Sequence, residues 1–181
     1  GWGSPPPGWE GDGWLGPQDD LLPLPLRSRP SWAEHWMTDC LEPTARLAVR
    51  RGHADASLLD TVDGLAAMVE RLDTHEPPSP VHGDLWSGNV LWTPHGGTLI
   101  DPAAHGGHPE MDLALMALFG FPMLDRVLGA YQEARPLADG WTERIELHQL
   151  HHLLVHLACF GAGYLGQTMR AIASVGRATR G

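Results

Sequence analysis

Two carboxylates and an amide stand in this chain at a spacing that suits phosphoryl transfer. Asp84 and Asn89 lie five residues apart in Val81-His82-Gly83-Asp84-Leu85-Trp86-Ser87-Gly88-Asn89, and Asp101 follows in Leu99-Ile100-Asp101-Pro102. In such a reaction one carboxylate accepts the proton of an attacking hydroxyl. An amide and a second carboxylate hold the metal ions on the nucleotide phosphates. The order predicts Asp84 as the base, with Asn89 and Asp101 as the cofactor-binding metal ligands. A purely local account competes, because Asp and Gly are common in turns and Asp-Pro marks chain reversals. Both parts in the right order favour the chemistry.

The elements that must position these residues are legible around them. Val90-Leu91-Trp92 and Thr98-Leu99-Ile100 are short apolar runs about Thr93-Pro94-His95-Gly96-Gly97, a hairpin signature that returns Asp101 to the side of Asp84 and Asn89. Upstream, Leu58, Val62, Leu65, Val69 and Leu72 recur at steps of four and three, which predicts one amphipathic helix ended by Glu76-Pro77-Pro78. Ser31 and Glu34 have capping-box spacing at a helix start. That helix is expected to break near Pro43, resume, and stop at Gly52. Further helices are expected from Met111 to Leu118, Leu124 to Tyr131 and Trp141 to Phe160. A last one through Met169 and Ile172 should run into a loose Arg/Gly tail. Residues 1–30, rich in Gly, Pro and Trp, read as an irregular, hinge-like segment without a strand or helix of any length. Residues 31–181 read as one helical lobe.

Composition narrows the classes. A formal net charge of −10 with no basic block argues against nucleic acid, whose phosphates need clustered cations. ATP remains compatible if magnesium neutralises its phosphates locally. Cys40 and Cys159 follow no metal or redox spacing and read as thiols of a reducing compartment. No signal-peptide pattern or membrane-length apolar run is visible, so a soluble cytoplasmic protein is expected.

His82 to Asn89 matches the kinase string H-x-D-x-x-x-x-N, with Gly83 where protein kinases carry Arg, a form more typical of small-molecule kinases. Between Trp9 and Ala173 the chain resembles the fructosamine kinase (ketosamine 3-kinase) family, relatives of the aminoglycoside and choline kinases. The carriers are His82-Gly83-Asp84-Leu85-Trp86 with Gly88-Asn89, Asp101-Pro102-Ala103, and Gly107, Glu110, Asp112-Leu113-Ala114 with Leu118-Phe119-Gly120. Tyr131 with Pro136-Leu137 and Gly140, and Leu153, His156 and Phe160-Gly161-Ala162-Gly163-Tyr164, complete the match. The resemblance implies the mainly α large lobe of a protein-kinase-like fold with a small β-hairpin. It implies transfer of the ATP γ-phosphoryl group to a ketoamine sugar hydroxyl, a deglycation repair step on a small ketoamine or a glycated protein lysine. Asp84 would deprotonate the hydroxyl, and Asn89 and Asp101 would hold Mg²⁺. Trp86 is either a stacking platform for the sugar or a core residue. Asp112 is expected to brace the catalytic loop, and Glu110 to do that or touch substrate.

The small β-rich lobe of such kinases, with its Gly-rich loop, strand Lys and helix Glu, finds no counterpart here, and no lysine occurs in the chain. Weak or absent catalysis by this chain alone is therefore expected, together with self-association through an exposed apolar face. His105 and His108, just after Asp101, either face the acceptor or are ordinary loop residues. His148, His151, His152 and His156 are either a zinc-binding helix face or a histidine-rich packing helix. An aminoglycoside- or choline-type kinase and a non-catalytic binding lobe are the alternative functions.

Overall fold

The computed structural model describes residues 1–178, so the expected Arg/Gly tail lies outside the described residues. The fold is mainly helical with three small two-stranded antiparallel sheets. Its centre is a 20-residue helix, α7 (Trp141–Phe160), bounded by Gly140 at φ +73° and Gly161 at φ +98°. Buried residues lie on every side of α7, with Leu147, Leu150, Leu153, Leu154 and Leu157 on one face and His148, His151, His152 and Val155 on the others. A helix buried all round must be enclosed by others. Here α2 (Glu42–Arg50), α5 (Met111–Phe119) and α8 (Leu165–Ala178) enclose it. Each fully buried leucine contributes about 1.5–3 kcal/mol.

Helix α1 (Trp32–His35) starts as expected, with Ser31 Oγ accepting from the Glu34 amide at 3.1 Å. Only half of the capping box forms, because the Glu34 carboxylate turns to Arg29 at 3.2 Å. The expected break near Pro43 does not occur. Residues Trp36–Leu41 form a π-helical turn that runs straight into α2 and sets Pro43 in its first turn. The missing proline N–H costs least in a first turn, and the wider turn absorbs the mismatch. Conversely, the single helix expected from Leu58 to Leu72 is two, α3 (Ser57–Asp63) and α4 (Ala66–Leu72), parted at Gly64. Leu58, Val62, Leu65 and Val69 still share a buried face. Helix α6 (Leu124–Ala134) lies on the surface.

Residues 1–30 are more ordered than their composition predicts. Strands β1 (Gly13–Leu15) and β2 (Leu22–Leu24) pair, and Trp2 bridges Arg29. The buried Trp2, Leu15, Leu22 and Leu24 explain this, since they give an irregular sequence an apolar face to dock. Arg29 then forks onto the buried Asp39 at 2.8 and 2.7 Å, fastening the segment to the first helix.

The remaining strands frame the segment that carries Asp84, Asn89 and Asp101. Strand β3 (Ser79–Val81) ends one residue before His82, and β6 (His105–Gly107) begins four residues after Asp101; the two pair antiparallel. Between them, β4 (Val90–Thr93) and β5 (Gly96–Leu99) form the expected hairpin, closed by Pro94-His95 alone. Among the described residues no helix is long and apolar enough to cross a membrane.

Candidate active site

His82 opens the loop and ties it to the far strand. Its Nε2 donates to the Ile100 carbonyl at 2.9 Å, and its Nδ1 accepts from the Asp84 amide at 3.3 Å. The Asp84 end of the loop is thereby anchored one residue from Asp101. Gly83 adopts φ +81°, and a Cβ there would collide with the Ala103 carbonyl, so only glycine lets the two segments approach.

Asp112, in the first turn of α5, accepts from the backbone amides of His82 at 2.7 Å and Gly83 at 2.9 Å. This is the brace expected from sequence. Burial raises its pKa even though both amides favour the charged form. Replacing Asp112 by alanine strands two amides and should destabilise the chain by about 1–3 kcal/mol. Chemical denaturation gives the magnitude. Hydrogen exchange places it, with the His82 and Gly83 amides exchanging faster; unchanged exchange there would remove Asp112 from the loop's support.

At the turn's end Asn89 is buried and donates Nδ2 to both the Asp84 carbonyl at 2.8 Å and Oδ2 at 3.0 Å. Among the described residues its Oδ1 has no hydrogen-bond partner, which leaves it free for a metal ion. Asp101 is exposed and sits at φ +52°, a left-handed conformation that Asp tolerates better than most side chains. Asp84, Asn89 and Asp101 line one cleft of about 570 Å³. Together they offer one amide and two carboxylate groups to a divalent cation and a hydroxyl-bearing substrate. Trp86 lines the same cleft, 40% exposed, with its indole laid against Gly88, where a Cβ would clash. It is not a core residue.

Of the two placements open to His105 and His108, the structure has neither at the cleft: both are buried and neither lines it. His105 donates Nδ1 to the Ala103 carbonyl at 2.8 Å, and burial, with the nearby His35, lowers its pKa to about 4. His108 hydrogen-bonds Thr74 at 3.0 Å, stacks on Trp2 and meets Trp32 and His148 at a tilt; burial and His148 lower its pKa to about 2. Ring packing holds them inward, His105 against His35 and His108 against Trp2, Trp32 and His148, an outcome that depends on tertiary contacts.

The histidines of α7 do not converge on a metal. His151 packs edge-on against Trp36, and His156 donates Nδ1 to the His152 carbonyl at 2.8 Å. Among the described residues the one grouping with ligand spacing is His108, Glu110 and His148. There Glu110 is already held by both arms of Arg144, at 2.8 and 2.5 Å, and by His148 at 3.2 Å. Such a carboxylate is a satisfied ion pair in the core, and Glu110 does not reach the cleft.

Sequence reasoning passed over one close neighbour of Asp84. His152 Nε2 lies 3.6 Å from Asp84 Oδ1, and the ring is buried with no hydrogen-bond partner at either nitrogen. Its local signal was the series of four-residue steps through His148, His152 and His156. The aromatic side of the cleft, from Trp14, Phe119, His156, Phe160 and Tyr164, was likewise dispersed along the chain.

The family model described as fructosamine kinase matches residues 4–177. A Thermus thermophilus protein named probable ketoamine kinase is 35% identical over 158 residues, covering 84% of this chain and 56% of that relative. The mouse ketosamine-3-kinase is 30% identical over 149 residues, covering 81% and 48%. A crystal structure of a Thermobifida fusca protein named as a fructosamine-3-kinase superposes with a TM-score of 0.85 at 46% identity. It spans 92% of this chain and 57% of that one. The chain thus spans about half the length of the curated relatives it matches.

Proposed function

The chain belongs to the fructosamine kinase family, and from that premise we propose that it is the large lobe of a kinase that phosphorylates a sugar hydroxyl of a ketoamine. The observation that carries this reading is the meeting of Asp84, Asn89 and Asp101 on one cleft. Asn89 holds the base by its amide nitrogen and keeps its oxygen free of hydrogen-bond partners among the described residues.

Asp84 accepts the hydroxyl proton, while Asn89 Oδ1 and the Asp101 carboxylate would hold magnesium. When bound, magnesium-ATP supplies the phosphoryl group and a Lewis-acid charge on its oxygens. His82, Gly83 and Asp112 keep the base in register, and Trp86 offers a flat face to the sugar. Phosphorylation at the third carbon would labilise the adduct, which makes the reaction a deglycation step. This chain has no lysine to grip the phosphates, so by itself it transfers phosphate slowly, since positioning carries nearly all of this chemistry.

The test is ³¹P NMR of the chain with ATP, magnesium and a small ketoamine, beside calorimetric binding of that ketoamine. Slow formation of a sugar phosphomonoester that chelation abolishes is expected. A folded chain that neither turns over nor binds the ketoamine would overturn the reading. Preference for choline or an aminoglycoside would replace it with the alternative.

A further inference from the structure

The side of the cleft formed by α7 and its neighbours carries a cluster of rings beyond the one flat face that Trp86 offers a sugar. Phe119, Phe160 and Tyr164 stand around His156, with ring centres 4.7, 5.2 and 5.1 Å from the imidazole. Phe160 is 57% exposed and Phe119 37%. Large rings left at a surface lose the gain of burial, so their grouping on one cleft points to a ligand that covers them. Trp14 lines the cleft as well; strand alternation turns its neighbour Leu15 into the core and leaves Trp14 54% exposed.

Charge narrows the ligand. Asp84 and Asp101 are the acidic residues of the lining, and no arginine lines it. The imidazole in the middle of the rings does not oppose a cation. His156 Nδ1 must carry a proton to donate to the His152 carbonyl, and burial lowers the pKa, which keeps the ring neutral. In that tautomer Nε2 is an acceptor, and among the described residues it has no hydrogen-bond partner. Aromatic faces attract a cation by their quadrupole, more strongly once water is displaced. A neutral imidazole acceptor beside them can take one N–H.

Resting on the kinase reading above, we propose that Phe119, Phe160 and Tyr164 cage the protonated secondary amine of the ketoamine while His156 Nε2 accepts one of its N–H bonds. The cleft then selects secondary ammonium sugars over neutral sugars of the same shape. The acceptor at the centre also separates this cage from one for a quaternary ammonium, which has no N–H to give.

Calorimetry on the chain itself tests this without turnover. The probes are fructosyl-propylamine, its neutral ether with oxygen in place of nitrogen, and its quaternary dimethyl analogue. The secondary ammonium should bind about tenfold more tightly than the ether, with the quaternary analogue between them. Phe160→Leu, at an exposed position, should shrink the advantage of both cations over the ether. His156→Phe keeps a ring and should erase only the gap between the secondary and quaternary cations. Tyr164→Phe should leave all three affinities in order. Equal affinity for ammonium and ether overturns the cage and leaves the kinase reading standing. Failure of all three probes to bind overturns both.

Discussion

Asp84→Asn should lower phosphoryl transfer by about 10²–10⁴-fold relative to the unsubstituted chain, the usual contribution of a positioned general base. Asparagine cannot take up the hydroxyl proton. It would also set an amide group against Asn89 Nδ2, which at present donates at 3.0 Å to the carboxylate oxygen. The loss should fall on kcat. The rest of the cleft, including Trp86 and the aromatic residues of α7, is untouched, so ketoamine affinity should hold within a fewfold. ADP release under saturating magnesium-ATP, beside calorimetric affinity for a ketoamine, separates the two parameters. An Asp84→Asn chain that retains its turnover would show that the base lies elsewhere. The folded state should survive, because Asp84 is partly exposed, and circular dichroism with a denaturation curve checks this.

How much of this site could be read from the chain follows from which contacts are local. Asp84 and Asn89 share one turn, and the hairpin that returns Asp101 is set by two apolar runs and a two-residue connection. Spacing alone reaches that far. Asp112 was also legible, since a carboxylate opening a helix soon after the loop has backbone amides to receive. By contrast, His152 meets Asp84 only because α7 crosses behind the loop, 68 positions along the chain. Histidines within a leucine run carry no mark of which will be buried and which will border the cleft. The same holds for His105 and His108, which nearness to Asp101 left between the acceptor and an ordinary loop; His35 packs against the first in the core, and Trp32 and His148 against the second. At Pro43 the local rule was sound, but a π-helical turn met its demand without ending the helix.

The largest stability effect should come from Arg144. Its guanidinium grips the Glu110 carboxylate with two donors and gives a third to the Asp139 carbonyl at 2.9 Å; both side chains are almost fully buried. Arg144→Leu leaves a buried carboxylate with His148 as its remaining side-chain partner, a loss on the order of 3–5 kcal/mol. The pH dependence identifies the cause. Burial alone would raise the Glu110 carboxyl, but Arg144 and His148 outweigh it and bring the pKa down from 4.5 to about 2. In the native chain the pair therefore contributes in full above the unfolded value of 4.5. That contribution fades as pH falls towards 2, where the folded carboxylate takes up its proton. Without Arg144 the sign reverses, because burial now dominates and the folded carboxyl titrates above its unfolded value. The variant is then penalised most at neutral pH and is relieved on acidification, as Glu110 becomes neutral. Urea denaturation of both proteins at about pH 7 and about pH 4 should show the gap between them narrowing at the lower pH. The other carboxylates titrate alike in the two proteins and cancel from the difference. A gap of equal size at both pH values would mean that Arg144 acts through packing and its backbone contacts, and that the ionic pairing with Glu110 adds nothing to the fold.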